Sequence, residues 1–339
     1  MAKRRMHGTF VFDEGASSSY HNPKTKEVLG LLEDQSQKIS YHNLEDFTID
    51  PTGQLNGNTR MSYYGFSRLC TTLDVPQKFV TKLSEIDAEL SAKVLNTTIQ
   101  NRGRGFQLAL CDGLVEGVVS DRYSRLSNLD VMRIFDDLQV GDISDFSLQG
   151  LRMRVTQVDN KKRGPQIIEP RKGDVVKGGV EIFNGEDGGA AFLGSAYVYR
   201  LVCLNGMVSP RKESMGRMVH RGGSLIDRAA LIMQKASLAA DKYMKVLPRT
   251  VGIEMNNLDQ REASRMTANR FTVGFANDVM EKTVEEAKTH GTPGVVSVYD
   301  YWNGITYQSH EAKSIDQSRR IEEYASEFLT AYAGEQIAA

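Results

Sequence analysis

The sequence lacks most of what would mark a secreted, membrane-spanning or nucleotide-hydrolysing protein. Its 339 residues include three cysteines, Cys70, Cys111 and Cys203, too far apart for a metal-ligand spacing and too few for a disulfide framework. That usage points to a reducing compartment. No stretch approaches the roughly 18 consecutive apolar residues of a membrane helix. The basic start, with Lys3, Arg4 and Arg5, has no apolar run behind it, so no secretory signal is expected and the protein reads as cytoplasmic. An excess of one charge is also missing. Forty-two Lys and Arg against 43 Asp and Glu give a net charge of −1, which excludes a globally basic histone-like binder and a strongly acidic mimic. A local basic face is still allowed.

Catalytic signatures are equally scarce. There is no GxxxxGK[ST] phosphate loop, no GxGxxG after a strand, no HExxH and no GxSxG. Arg102-Gly103-Arg104-Gly105 precedes a strand, the wrong context for a dinucleotide fingerprint. Leu110-Cys111-Asp112-Gly113 has leucine where a nucleotidyltransferase would need its lysine nucleophile. The six histidines form no i, i+4 pair. Asn184, Glu186 and Asp187 cluster, but adjacent acids do not follow the alternating calcium-loop pattern, and a hairpin turn is the better reading. Cys111 and Cys203 sit among apolar neighbours and read as small buried hydrophobes. No metal, cofactor or catalytic residue is therefore expected.

What is present is patterning. With 40% hydrophobic and 25% charged residues the chain is globular. Length alone suggests two domains, with one large α+β domain as the alternative. Residues 1–55 are polar and read as a poorly structured arm, with one strand at Gly8–Phe12. Tyr63–Leu73 carries Phe66, Leu69 and Leu73 at helical steps. Pro76 is placed to open a second helix, and Asp87–Ile99 forms a third, with Leu90, Val94 and Leu95 on one side. Asp112-Gly113 between apolar runs predicts a hairpin of Phe106–Leu110 and Leu114–Ser120. Asn128 is an N-cap for a helix through Leu138. Phe146–Val158, Val175–Phe183 and Ala191–Leu204 read as strands, with Asn205-Gly206 turning after the last. Ser224 opens a helix whose stripe is Leu225, Ala229, Ile232, Ala236, Ala239, Tyr243 and Val246, ended by Pro248. Further helices cover Asn277–Thr289 and the segment from Ser314, which should bury Ile321, Tyr324, Phe328 and Tyr332. The expected architecture is one α+β domain over 56–332. It is helical over 56–101, built around an antiparallel sheet over 102–208, and helical again over 224–332.

Charge is unevenly distributed. Leu151–Arg228 holds fourteen Lys and Arg against eight Asp and Glu, a local +6, which leaves −7 for the rest. A basic β-rich middle is the footprint of a polyanion-binding face. Arg217–Gly223 runs straight into the Ser224 helix, whose N-terminus offers free N–H groups to a phosphate. Asp121-Arg122-Tyr123-Ser124-Arg125 precedes the Asn128 helix, and a tyrosine between arginines can stack a base while its neighbours hold phosphates. Each loop alone reads equally as a solvated loop with a capped helix.

Four segments carry a resemblance. They are Arg104-Gly105-Phe106 leading to Val118-Val119-Ser120-Asp121-Arg122-Tyr123, then Arg200 to Val208, then His220-Arg221-Gly222-Gly223, with Leu69 through Pro76 upstream. Together they resemble an uncharacterised family of phage- and plasmid-borne proteins grouped as a domain of unknown function, over about Tyr63 to Ala325. The resemblance implies a mobile-element protein of the bacterial cytoplasm and tilts the function toward DNA handling. The expectation is a nucleic-acid binder, with single-stranded DNA favoured, acting without ATP in binding or annealing as a homo-oligomer. Its expected contacts are Arg122, Tyr123, Arg125, Arg200, Arg217, His220 and Arg221, the histidine adding charge as pH falls. The alternatives are a scaffold or host-takeover protein that binds another protein, and an enzyme of unfamiliar type using Asp121, Glu186, Asp187 or His220.

Overall fold

The computed structural model describes residues 4–7, 9–13, 15–138, 141–158, 167–172, 174–200, 205–208, 216–290, 292 and 294–333. The chain opens with strands β1 (Arg4–His7), β2 (Phe10–Asp13) and β3 (Ser17–His21), helix α1 (Thr25–Ser36) and strand β4 (Ile39–Asn43). After the two-residue strand β5 (Arg60–Met61) come α2 (Tyr63–Leu73), α3 (Gln77–Ile86) and α4 (Ala88–Arg102). Strands β6 (Phe106–Cys111) and β7 (Leu114–Ser120) precede α5 (Asn128–Asp137). The β-rich middle continues as β8 (Asp142–Gln149), β9 (Arg152–Val158), β10 (Ile167–Arg171), β11 (Asp174–Gly185), β12 (Phe192–Arg200), β13 (Asn205–Val208) and β14 (Gly216–Met218). The rest is helical: α6 (Leu225–Thr250), α7 (Asn257–Arg270), α8 (Val273–Thr289), α9 (Val298–Tyr307) and α10 (Ile315–Ala333). This is an α+β fold with a large antiparallel sheet and helices at both ends. Among the described residues no helix is long and apolar enough to cross a membrane.

The strands of the middle divide between two sheets, where one was expected. The β6–β7 hairpin turns at Asp112 and Gly113, both with positive φ, as the Asp-Gly pair predicts. It belongs to a four-stranded sheet in the order β4-β6-β7-β5, in which β5 pairs with β7 in parallel. The other sheet has eight strands, all antiparallel, with the path β13-β12-β11-β9-β8-β3 and with β10 and β14 attached to β11 and β12. The long strand expected over Phe146–Val158 is the hairpin β8–β9, because Gly150 takes φ +56 at the first position of a two-residue turn. Asn205 and Gly206 do not form a turn. They pair with Arg200 and Tyr199 as β13, and residues 201–204, including Cys203, lie outside the described residues.

The arm is corrected as well. Phe10 and Phe12 are fully buried against Phe66 of α2, β3 extends the eight-stranded sheet beside β8, and β4 borders the smaller sheet. The serines that make residues 17–19 look unstructured are strand residues. In α4 the buried face is Ser91, Ala92, Leu95 and Ile99, whereas Leu90 is exposed. Helix α5 is capped by Ser127, whose side chain accepts the Asp130 N–H, so Asn128 is its first residue and not its cap.

One face of the eight-stranded sheet is apolar. Met153, Val155, Val180, Ile182 and Phe192 pack under α5 and the first half of α6, as the stripe predicted. The buried residues of α6 include Leu225, Ala229, Met233, Ala236, Ala240, Met244 and Leu247; of the expected stripe, Ile232 and Ala239 pack partly buried, and the side chains of Tyr243 and Val246 lie outside what is described. Ile232 lies over Gly194 and Gly216, where an added Cβ would stand 2.7 and 2.4 Å from its side chain, so those glycines let the helix approach. Ser224, expected to open this helix, has left-handed backbone and makes no side-chain cap. Pro248 does not end α6. Leu247 and Thr250 are buried, and the Thr250 hydroxyl donates to the Leu247 carbonyl, holding the last turn.

The opposite face of the sheet is polar, and α10 docks on it through ion pairs. Arg154 Nε donates to Glu181 Oε2 at 2.7 Å, Nη1 donates to Ser318 Oγ at 3.0 Å, and Nη2 binds Glu322. Arg152 Nε donates to Asp187 Oδ2 at 2.7 Å while Nη1 reaches Asp316. Arg319 sits 3.4 Å from Glu181 Oε1 and over the Phe183 ring. Arg171 grips both oxygens of Asp300 at the start of α9. Removing one partner of such a pair leaves the other charge buried and uncompensated. Arg154→Ala is therefore expected to lower the unfolding free energy by about 3–5 kcal/mol, measured by denaturant titration. A loss under about 1 kcal/mol would equal that of an exposed pair and contradict the buried geometry.

Candidate nucleic-acid interface

A cleft of about 460 Å³ opens where the two sheets meet. Its walls come from β6 and β7 (Phe106, Val118, Val119, Ser120), from α2 (Arg68, Thr72) and from the β11–β12 turn (Gly188 to Ala191). Tyr123 of the β7–α5 loop and Arg217, Val219, His220 and Arg221 ahead of α6 complete it. The turn can lie against β7 because both backbones carry glycine at the contact. A Cβ on Gly117 would fall 2.3 Å from the Asp187 carbonyl oxygen, and one on Gly188, at φ +72, would fall 2.4 Å from that of Val118.

The two loops singled out by sequence meet here. The Ser124 N–H donates to the His220 carbonyl at 2.9 Å. The Tyr123 and His220 rings stack with centroids 5.1 Å apart and planes 14° apart. The Asp121 N–H donates to the Gly105 carbonyl at 2.7 Å, which ties the Arg104-Gly105-Phe106 segment to the Ser-Asp-Arg-Tyr stretch.

The Asn184–Gly189 segment is a turn, as expected, but a buried one that fixes the loop. Glu186 Oε1 accepts the Asn128 N–H at 2.8 Å, and Oε2 accepts from Arg125 Nε at 2.7 Å. Asn184 Nδ2 donates to the Leu126 carbonyl and to Asn128 Oδ1. Asp187 Oδ1 accepts the Gly189 N–H. Among the described residues no group of three or more His, Cys, Asp or Glu is arranged to hold a metal ion.

The seven expected contacts separate. Arg217 and Arg221 are exposed in the cleft, and Arg122 is exposed beside Tyr123. Tyr123 lines the cleft with its hydroxyl turned to the Gly185 carbonyl at 3.4 Å. Arg125 is held by Glu186 and lies over the Tyr41 ring, so it is a structural residue here. Arg200 closes β12 at the end opposite Phe192, eight residues from the cleft end, or about 26 Å along a strand at ~3.3 Å per residue. The α6 terminus at Gly222 to Ser224 is exposed but is not part of the cleft lining.

His220 overturns an expectation. It is 5% exposed, and neither ring nitrogen has a hydrogen-bond partner among the described residues. Burial pushes its pKa down to about 4, against a weaker upward pull from Asp187. It adds no positive charge near neutrality, so it cannot strengthen binding as pH falls through 6.5. Cys111 cannot supply a ready thiolate either, since burial pushes its thiol up to about 11. Sequence reasoning missed Arg68. It lies off the apolar stripe of α2, and nothing local marks it. Its Nη2 donates to the Gly188 carbonyl at 3.2 Å, and its Nε is buried without a partner.

The comparisons add one match. A family model described as "Domain of unknown function (DUF932)" covers residues 115–322. That span contains the β7 side of the cleft, Tyr123 and the loop ahead of α6, but not Arg68. No curated protein and no solved structure matches the chain.

A depressed histidine pKa has a signed consequence. Between about pH 6.5 and 4 the unfolded chain binds a proton at His220 that the folded chain refuses. Stability from this group is therefore full above 6.5 and is lost as pH falls toward 4, by up to about 3 kcal/mol. His220→Asn should abolish that part of the pH dependence in denaturant titrations compared with wild type. An imidazole midpoint near 6.5 for His220 by NMR would contradict the burial.

Proposed function

The chain belongs to the DUF932 family, a domain of unknown function, and from that premise we propose that it binds single-stranded nucleic acid at the cleft between its two sheets. One observation carries the reading: among the described residues, three arginines, Arg68, Arg217 and Arg221, line the cleft, and no carboxylate does. Phosphates would lie along the exposed Arg217, Arg221 and Arg122, and a base would pack at the Tyr123–His220 stack. Binding of this kind combines backbone charge with aromatic faces and needs no base-edge readout or nucleotide hydrolysis. Annealing by an oligomer, and a place among phage and plasmid DNA-handling proteins, extend the same proposal and rest on the resemblance of the sequence.

The local charge surplus supports the reading less than its count suggests. Arg152, Arg154 and Arg171 are neutralised inside the protein. Lys161, Lys162, Arg163, Arg211 and Lys212 lie outside the described residues. The weight therefore falls on the exposed loop arginines.

A single strand loses about 0.7 in its log–log salt slope for each phosphate contact removed. Arg217→Ala/Arg221→Ala should weaken oligonucleotide binding and reduce that slope by about 1.4, measured by fluorescence anisotropy across a salt series. Both side chains are exposed, so folding should be unaffected. Equal affinities and equal slopes would remove the loop from binding and this function with it.

A further inference from the structure

We propose that the part of the cleft at Arg68 and His220 is a seat for a terminal phosphate monoester, so that the protein recognises the phosphorylated end of a strand. This rests on the nucleic-acid reading above and narrows it to a substrate class.

The argument begins with orphaned polar atoms. Buried N–H groups are almost always hydrogen-bonded, and each exception in a folded protein calls for a partner. Among the described residues, three buried nitrogens have no partner, Arg68 Nε and both ring nitrogens of His220, and they belong to two side chains of one cleft. The Arg68 Nε carries a hydrogen, and a neutral imidazole carries one more. Two unpaired donors, in a cleft lined by no carboxylate among the described residues, match an oxyanion better than any other ligand group.

Exposure then distinguishes the kind of phosphate. The rim cations Arg217 and Arg221 are exposed and suit the evenly spaced single charges of a running backbone. Arg68 is half-buried and His220 buried, and they share the lining with the Gly188–Ala191 turn and with Phe106, Val118 and Val119. An internal phosphodiester brings a chain on both sides, and both would have to pass these groups. A terminal monoester needs only one side. It also carries about −1.5 to −2 charge at pH 7 and three acceptor oxygens, where a diester has one charge and two free oxygens. A cleft of about 460 Å³ is within the range of small-ligand pockets and suits one terminal nucleotide better than a strand in passage. The guanidinium of Arg68 is already oriented, since Nη2 is anchored on the Gly188 carbonyl.

The test uses four versions of one oligonucleotide: 5′-phosphate, 3′-phosphate, both ends hydroxyl, and a circular strand with no ends. Affinity is measured for the full-length protein at fixed salt. The expected result is at least tenfold tighter binding of one phosphorylated end than of the hydroxyl-ended strand. Inorganic phosphate should compete for that increment alone. Arg68→Lys, which keeps the charge and loses the planar fork, should erase the difference between the phosphorylated and the hydroxyl-ended strand. Should Arg68→Lys fail to fold, the wild-type comparison among the four strands still decides. Equal binding of all four overturns the end-seat proposal and leaves the nucleic-acid reading standing. Absence of binding to any strand at low salt overturns both. Binding of inorganic phosphate with no strand bound overturns the strand-end proposal and assigns the cleft to a small phosphate ligand.

Discussion

The paired charges on the polar face of the large sheet are the constraint from which the rest follows. An antiparallel sheet can leave one face to water, and the alternation of β9, with Arg152, Arg154 and Thr156 against Met153 and Val155, suits that arrangement. Instead α10 covers the polar face, which brings Asp316, Ser318 and Glu322 onto the strand arginines and Arg319 onto Glu181. Two buried charges are tolerated together and are costly apart, so these contacts fix where α10 can lie more than how stable the protein is. The same arginines reach into the cleft region. Arg152 holds Asp187, Asp187 holds the Gly189 N–H, and the neighbouring Gly188 carbonyl holds Arg68. The position of Arg68 is thus linked, through one turn, to the docking of the last helix.

That chain of contacts changes what the charge asymmetry of the sequence means. A +6 segment within a chain of net charge −1 is the expected mark of a surface for polyanions. Part of the balancing acid is on the C-terminal helices, at Asp300, Asp316 and Glu322, and it meets the basic segment inside the fold. Segregation of charge along a sequence can therefore encode docking between distant elements as readily as attraction to a ligand. Only exposure separates the two, and Arg217 and Arg221 have it while Arg152 and Arg154 do not.

Legibility followed the same division between local and distant causes. The β6–β7 hairpin, α2 to α4 and the stripe of α10 were readable because each rests on short-range chemistry: an Asp-Gly turn, a proline start, a helical period. Helix α9 was not, since Val298 to Thr306 is buried on every side and so shows no amphipathic period. The arm misled because Ser17, Ser19 and His21 face the polar side of a sheet whose partner strand, β8, begins over a hundred residues later. In the site, the loops ahead of α5 and α6 were legible as basic, helix-leading segments. Arg125 was misread because its partner, Glu186, is 61 residues away. The neutrality of His220 was equally hidden, because the residues that bury it come from both sheets.

The orphaned donors of the cleft bear on the affinity of the proposed complex. A buried donor without a partner costs about 1–3 kcal/mol, and the fold accepts this at Arg68 and His220. In the proposed complex a ligand would meet donors whose burial cost belongs to folding and not to binding. The stack of Tyr123 on His220 and the anchor of Arg68 on Gly188 hold both side chains in one orientation, which limits the entropy lost on association. A neutral histidine also sets the sign of selectivity. In the proposed complex it would add a hydrogen bond without adding a charge, so acceptor geometry would discriminate at Arg68 and His220 and charge at the exposed arginines. Those two parts would answer to different variables, the first to the chemistry of the ligand's end and the second to salt.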